Sequence, residues 1–296
     1  MTARFGTVVT AMVTPFTEEG ALDLDAAASV ARALVDSGNE GLVVAGTTGE
    51  GPVLTDEEKL DLWRAVVEAV TVPVVAGTGT NDTRHSVMLT KAAAECGVAG
   101  MLVVTPYYNR PSQAGLEAHF RAVAEGAGKK PVLIYDIPVR TGRKVAHDVL
   151  VRLARKVSNV VGVKDAALDV SASARLRAAA PDSFEIYSGN DDQTLPLMSI
   201  GAVGVIGVAT HWAAPEFAEM MAAFEKGDVA TARELNARLL PSYDFETGET
   251  APNPIPAKAM MRVLGHRVGQ CRPPLGPAPE GLEDRARQVL ANLRRG

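Results

Sequence analysis

The chain has little cysteine, few aromatic residues, no block of positive charge and no long apolar run, and each shortage removes a class of function. Its 2 cysteines among 296 residues, Cys96 and Cys271, are too few for a disulfide framework, and neither lies in a CxxC or zinc-ligand spacing. Both read as reduced thiols, which fits a cytosolic compartment. No apolar run reaches the ~20 residues that a membrane helix requires. The N-terminus MTARFGTVVTAMVTPF lacks the basic start, apolar core and small-residue cleavage site of a secretion signal. The expectation is a soluble cytoplasmic protein that engages no membrane. Nucleic acid is not expected either: 30 basic residues stand against 35 acidic ones, a net charge of −5, and basic runs stop at pairs such as Lys129-Lys130 and Arg294-Arg295. For metals, His85, His119, His147, His211 and His266 are scattered, with no HExxH and no paired-carboxylate spacing. No Gly-Lys-Ser/Thr follows a glycine-rich turn and no GxGxxG opens a helix, so neither a P-loop nor a dinucleotide fingerprint is present.

What the chain does have is 47% hydrophobic residues drawn mainly from small and branched types, with 22% charged, the balance of a globular protein. Short β-branched runs recur, each followed by an Ala- and Leu-rich stretch with helical spacing. That alternation marks βα units around a parallel sheet. Strands are predicted at 7–13, 41–45, 72–76, 100–105, 132–136, 160–164, 185–188 and 203–207. Helices are predicted near 25–36, 56–69, 83–96, 113–126, 147–155, 170–179, 191–200 and 215–224, the second opened by a capping box in which Thr55 precedes Glu58 by three residues. Eight such units in about 225 residues match a (β/α)8 TIM barrel, with an open doubly wound sheet as the alternative. Beyond Lys226 only helical segments follow, near 229–240, 255–264 and 280–293, separated by Pro-rich joints. The reading is an α/β barrel domain, 1–225, carrying a C-terminal helical appendage, 226–296.

Active sites of such barrels lie at the C-terminal ends of the strands. Lys164 ends the run Val160-Val161-Gly162-Val163, and burial there lowers an amine's pKa toward the range in which it attacks carbonyls. Taken alone it reads rather as a snorkelling lysine or a partner of Asp165, since isolated lysines are common at strand ends. Tyr135 ends the preceding strand, where a phenol can pass protons to and from that amine, although a core tyrosine is the plain alternative. Gly46-Thr47-Thr48-Gly49-Glu50 sets two hydroxyls and several amides between a strand and a helix, suited to holding a carboxylate or relaying a proton, or simply to making a glycine turn. Arg140 follows the fifth strand and can clamp a carboxylate or stand exposed on the surface.

With these residues stand Val104-Thr105-Pro106-Tyr107-Tyr108-Asn109-Arg110-Pro111-Ser112-Gln113, Tyr135-Asp136-Ile137-Pro138-Val139-Arg140-Thr141-Gly142, Gly162-Val163-Lys164-Asp165-Ala166 and Asn253-Pro254-Ile255-Pro256-Ala257-Lys258. Together, from about Gly6 to the last helices, they resemble the dihydrodipicolinate synthase family. The lysine, the tyrosine and the Gly-Thr-Thr-Gly-Glu motif are shared with the wider pyruvate-dependent lyases, including N-acetylneuraminate lyase. The resemblance implies a cofactor-free lyase that condenses pyruvate with aspartate semialdehyde in lysine and diaminopimelate biosynthesis. It implies an imine on Lys164, a proton relay of Tyr135, Thr47 and Tyr108, the last from a neighbouring subunit of a tetramer, and pyruvate carboxylate binding at Thr48. Arg140 is implied to hold the semialdehyde carboxylate, with backbone contacts from Gly189 and Ile206. Another pyruvate aldolase acting on a sugar acid is the rival activity, against which Arg140 speaks. A silent keto-acid-binding barrel is a rival of another class, against which the complete relay speaks. Two departures from the family pattern are Asp136 after the tyrosine and Asn190 after the glycine. The resemblance also implies an effector pocket for lysine around Gly51, Pro52, Asp56, Lys59, Asn81, His85 and Tyr107. Relatives sensitive to lysine have a glutamate in place of His85 and a histidine in place of Lys59, so weak or absent feedback is expected here.

Overall fold

In the computed structural model, which describes residues 3–294, the alternating pattern folds into a closed ring of eight parallel strands. They are β1 (Val8–Ala11), β2 (Gly41–Val44), β3 (Val74–Gly77), β4 (Gly100–Val104), β5 (Val132–Asp136), β6 (Val160–Asp165), β7 (Glu185–Ser188) and β8 (Gly204–Gly207). Each pairs with the next, and β8 returns to β1 with Val8 opposite Val205 and Thr10 opposite Gly207. Closure leaves no unpaired edge and excludes the open sheet. The two-residue period of a strand then sorts side chains into two cores. Val9, Val43, Val75, Leu102, Leu133, Tyr135, Tyr187 and Ile206 fill the interior of the ring. Leu42, Val44, Ala76, Met101, Val103, Ile134, Val163 and Ile186 face outward against the helices.

The helices that follow the strands are α1 (Leu24–Asp36), α2 (Asp56–Ala69), α3 (Thr83–Ala94), α4 (Gln113–Gly126), α5 (Pro138–Thr141), α6 (His147–Lys156), α7 (Val170–Ala179), α8 (Thr194–Met198) and α9 (Thr210–Glu225). Side-chain caps start several of them: Asp23 on α1, Asp82 on α3, Ser112 on α4, Asp169 on α7, and the expected Thr55–Glu58 box on α2. After α9 come α10 (Val229–Glu246), α11 (Ile255–Val263) and α12 (Leu282–Leu293). They share cores with the barrel. Leu235, Leu239 and Tyr243 of α10 pack with Phe217 and Met220 of α9, and Ala257 and Met261 of α11 join the layer between sheet and helices.

Several sequence boundaries move, each for a local reason. The first strand ends at Ala11 because the Val13 N–H leaves the sheet to donate to His211 Nε2 at 3.1 Å. The predicted helix 191–200 is a 3-10 turn, Asp191–Gln193, followed by the short α8, since the Asp191 carboxylate is turned back to the N–H groups of Val208 and Ala209. Helix 215–224 starts five residues earlier, at Thr210, and kinks at Ala213 just ahead of Pro215. Helix 229–240 continues through Pro241 to Glu246, because buried Ser242, Tyr243 and Phe245 keep that stripe against the core. The loop that carries Arg140 is a single helical turn, α5, opened by Pro138 and closed by Gly142 at φ 70°.

Candidate active site

At the C-terminal rim the inward positions of β5 and β6 are Tyr135 and Lys164, which are direct register partners. Lys164 is 4% exposed and its Nζ sits over the Tyr135 ring, 4.4 Å from the centroid. Burial pushes the amine down to about 8; Asp191 and Glu246 oppose that shift, and Arg140 adds to it. The same burial pushes the Tyr135 phenol up to about 12, against the pull of Arg140 and of a hydrogen bond with Thr47. An amine that is neutral in useful amount near neutral pH, beside a phenol that keeps its proton, suits attack on a carbonyl with proton transfer at its oxygen. Gly189 lies against this pair by necessity: a Cβ there would meet Lys164 Cγ at 3.0 Å and Ala166 Cβ at 2.9 Å.

The Gly46–Glu50 turn is held on both sides. Thr14 Oγ1 donates to the Gly49 carbonyl at 2.6 Å. Glu50 stands in the left-handed region at φ 55°, and its carboxylate, wholly buried, pairs with Lys258 Nζ of α11 at 2.6 Å and accepts from the Arg272 N–H at 2.8 Å. Lys258 also donates to the Gln270 carbonyl at 2.9 Å and lies over the Phe16 ring. Charge partners of this kind satisfy ions that would be very costly to bury alone. The helical extension thus fixes the turn that carries Thr47 and Thr48. Thr48, 2% exposed, receives a hydrogen bond from the Asn253 side chain at 3.0 Å, and Arg140 donates to the Asn253 main-chain carbonyl at 3.3 Å.

A cavity of about 370 Å³ opens beside these groups. Thr47, Tyr135 and Arg140 line it, together with Gly51, Pro52, Asp56, Lys59, Asn81, His85 and Tyr107. Lys164, Thr48, Gly189 and Ile206 do not line it; Ile206 is an inward residue of β8, fully buried beside Val9. Tyr108 is not brought to the site of its own chain. It stands at φ 72° and 90% exposed, while its neighbour Tyr107 turns in. The residues expected to form an effector pocket do lie together, with Asp56 accepting from His85 Nε2 at 2.9 Å and standing 3.9 Å from Lys59 Nζ.

Of the two departures from the family pattern, Asp136 points outward, where it accepts from Lys144 Nζ at 3.1 Å and from the Val145 N–H at 3.2 Å. It fastens the segment leading into α6, on the face of β5 opposite Tyr135. Asn190 precedes a feature that sequence spacing concealed, a pair of buried carboxyls from residues far apart in the chain. Asp191 is anchored by the N–H groups of Val208 and Ala209 at 3.0 and 2.6 Å. Glu246, at the end of α10, adjoins it. Burial, then the charge of Asp191, pushes the Glu246 carboxyl well above the usual range. The fifty-odd residues between them form no motif, so no sequence spacing announces the pair, and only the tertiary fold brings the end of α10 to the residue that follows β7. Asn253 and Lys258 were visible within the Asn-Pro-Ile-Pro-Ala-Lys run but carried no readable role.

Among the described residues no cluster of three or more His, Cys, Asp or Glu side chains could hold a metal ion, and no helix is long and apolar enough to cross a membrane. Cys96 and Cys271 are free and buried. His119 and His211 are buried and hydrogen-bonded to Thr83 and to the Val13 and Val208 backbone, each pushed down to about 4 by burial.

Known proteins share this sequence and fold. The chain is 50% identical over 293 residues to a 4-hydroxy-tetrahydrodipicolinate synthase of Acidothermus cellulolyticus, covering 98% of this chain and 92% of that one. It superposes on a dihydrodipicolinate synthase of Bacillus anthracis with a TM-score of 0.93 and 42% identity, over 98% and 99% of the two chains. It superposes on a dihydrodipicolinate synthase of Cyanidioschyzon merolae, solved with lysine bound, with a TM-score of 0.95 and 39% identity, again over 98% and 99%. The model of the dihydrodipicolinate synthetase family matches residues 4–293, and on this evidence the chain belongs to that family.

Proposed function

We propose that this protein condenses pyruvate with L-aspartate 4-semialdehyde to 4-hydroxy-tetrahydrodipicolinate, the entry reaction of lysine and diaminopimelate biosynthesis, through an imine on Lys164. The observation that carries the reading is the buried Lys164 amine seated over Tyr135, in a chain of this family. Lys164 Nζ attacks the keto carbon of pyruvate, and the resulting carbinolamine loses water as Tyr135 supplies a proton to the departing oxygen. Loss of a proton from the methyl carbon gives an enamine, which forms the new carbon–carbon bond at the aldehyde; the aldehyde oxygen takes up a proton. The amino group of the second substrate then displaces Lys164 from the imine carbon and closes the ring. No cofactor enters this balance. Thr47 passes protons between Tyr135 and the cavity, Thr48 binds the pyruvate carboxylate, Gly189 and Ile206 shape the backbone around it, and Arg140 holds the carboxylate of the semialdehyde. The barrel, 1–225, supplies the reacting groups, and the extension, 226–296, supplies Glu246, Asn253 and Lys258 around them. Such a biosynthetic enzyme belongs in the cytoplasm. An assay of condensation with aspartate semialdehyde, run beside cleavage of a 2-keto-3-deoxy sugar acid, tests the substrate; condensation alone is expected, and cleavage without condensation would reverse the assignment.

The relay is completed by Tyr108 from a second copy of the chain, and the working form is a homotetramer built from tight dimers. The exposure of Tyr108 next to an inward Tyr107 supports this. Because a two-fold contact is reciprocal, each partner then lends one tyrosine to the other. Sedimentation at assay concentration is expected to show no active monomer, and a fully active monomer would refute the shared relay.

Feedback by lysine is expected to be weak or absent. Lys59 and His85 present nitrogen groups to a ligand whose own amines are cationic, and the charge of Asp56 is already engaged by both. Lysine titrated into the condensation assay decides it: strong cooperative inhibition at submillimolar lysine would contradict this reading.

A further inference from the structure

Asn253 stands where the two proposed carboxylate sites meet. Its side chain, on a residue 7% exposed, donates from Nδ2 to Thr48 Oγ1 at 3.0 Å, and its main-chain carbonyl accepts from Arg140 at 3.3 Å. Its own N–H is directed to Thr247 Oγ1 at 3.3 Å, so both ends of the residue are tied down. A threonine hydroxyl has one hydrogen to give. With the Asn253 amide occupying a lone pair of Oγ1, that hydrogen remains for an acceptor in the site, and among the described residues Thr48 makes no other side-chain hydrogen bond. The amide oxygen, Oδ1, is buried without a partner. Turning the amide over would satisfy Oδ1 from Thr48 but would consume the one hydrogen that a bound carboxylate needs. A buried acceptor left open is costly, and this orientation makes sense when a ligand is the intended recipient of the hydroxyl hydrogen.

We infer that Asn253 is a positioning residue: its amide N–H aims the Thr48 hydroxyl hydrogen at the pyruvate carboxylate, so that a side chain of the helical extension sets the affinity for the keto acid. This rests on the reading of Thr48 as the carboxylate contact. A second consequence separates the two substrates. The carbonyl that holds Arg140 belongs to the main chain and survives any substitution at 253, so affinity for the semialdehyde does not depend on the Asn253 side chain.

The test is a double-mutant cycle of Asn253→Ala and Thr48→Val, read as KM for pyruvate, KM for aspartate semialdehyde and kcat. A parallel reading is the pyruvate concentration that half-saturates borohydride trapping with no second substrate present. Each single variant is expected to raise the pyruvate KM and the half-saturating concentration about tenfold, the loss of one hydrogen bond to a charged group. kcat and the semialdehyde KM should change little. The double variant should be no worse than Thr48→Val alone, because Asn253 acts only through that hydroxyl. Asn253→Asp keeps the shape and removes the donor, so it should raise the pyruvate KM at least as far, even where the alanine variant folds poorly. A wild-type pyruvate KM in Asn253→Asp or Asn253→Ala, with Thr48→Val impaired, overturns the inference alone, as do single effects that multiply in the double variant. An unimpaired Thr48→Val overturns the reading of Thr48 and the inference with it.

Discussion

Lys164→Ala is expected to abolish condensation while leaving the protein folded. In the proposed mechanism the amine is the nucleophile, and truncating it leaves no chemistry for the remaining groups to assist. Lys59, Lys144 and Lys258, other lysines near the strand tops, face Asp56, Asp136 and Glu50 and are not placed to form the imine instead. The fold should survive because, among the described residues, no carboxylate lies within ion-pair distance of Lys164, so its loss strands no opposite charge in direct contact, and the layer around it is held by Tyr135, Tyr187 and Ile206. A matching pH dependence is expected of the unaltered protein. Because the neutral amine attacks, and burial brings its pKa to about 8, imine formation should rise by about tenfold per pH unit on the acid side and level off above that value. An amine at the ordinary value of about 10.4 would keep rising well past pH 9. Steady-state rates and a thermal melt of Lys164→Ala are the check, and near-normal turnover would sink the mechanism.

Tyr135→Phe should lower kcat by roughly 10²- to 10⁴-fold with the fold intact, the usual contribution of a general acid–base group. The ring that underlies the amine is kept, so the environment of Lys164 changes little. What goes is the hydroxyl, and with it the hydrogen bond to Thr47. Since burial holds that phenol up at about 12, it starts each cycle protonated, and its first act is to give a proton to the carbinolamine oxygen. The adduct with pyruvate should therefore still form in this variant, but slowly. A kcat within about threefold of the parent, measured at saturating substrates, would mean that another group or water serves in its place.

The sequence was most legible where a period governs it. Alternation within strands and helical spacing between them identified all eight βα units, and the inward positions of Tyr135 and Lys164 follow from the same two-residue period that put Val163 and Asp136 on the other face. It was least legible where tertiary contacts override local signals. Pro241 reads as a helix stop, yet α10 passes through it because Tyr243 and Phe245 have a core to fill. Asp191 reads as a helix start, yet its carboxylate is spent on two backbone N–H groups across the β7–β8 gap. The Glu50–Lys258 and Asn253–Thr48 contacts span more than two hundred residues. No spacing rule can foretell them, and they tie the helical extension to the turn that carries Thr47 and Thr48. Tyr108 illustrates a different limit: the role proposed for it lies in a second copy, which neither the sequence nor one folded chain contains.

The central claim is that pyruvate becomes covalently attached to Lys164 before the second substrate arrives. Borohydride reduction in the presence of pyruvate alone, followed by proteolysis and mass spectrometry, reads this directly. The account predicts one reduced pyruvyl adduct per chain, located on the peptide that contains Val163-Lys164-Asp165 and absent from Lys164→Ala. A protein that turns over both substrates yet traps no adduct, or traps it on another lysine, would contradict it.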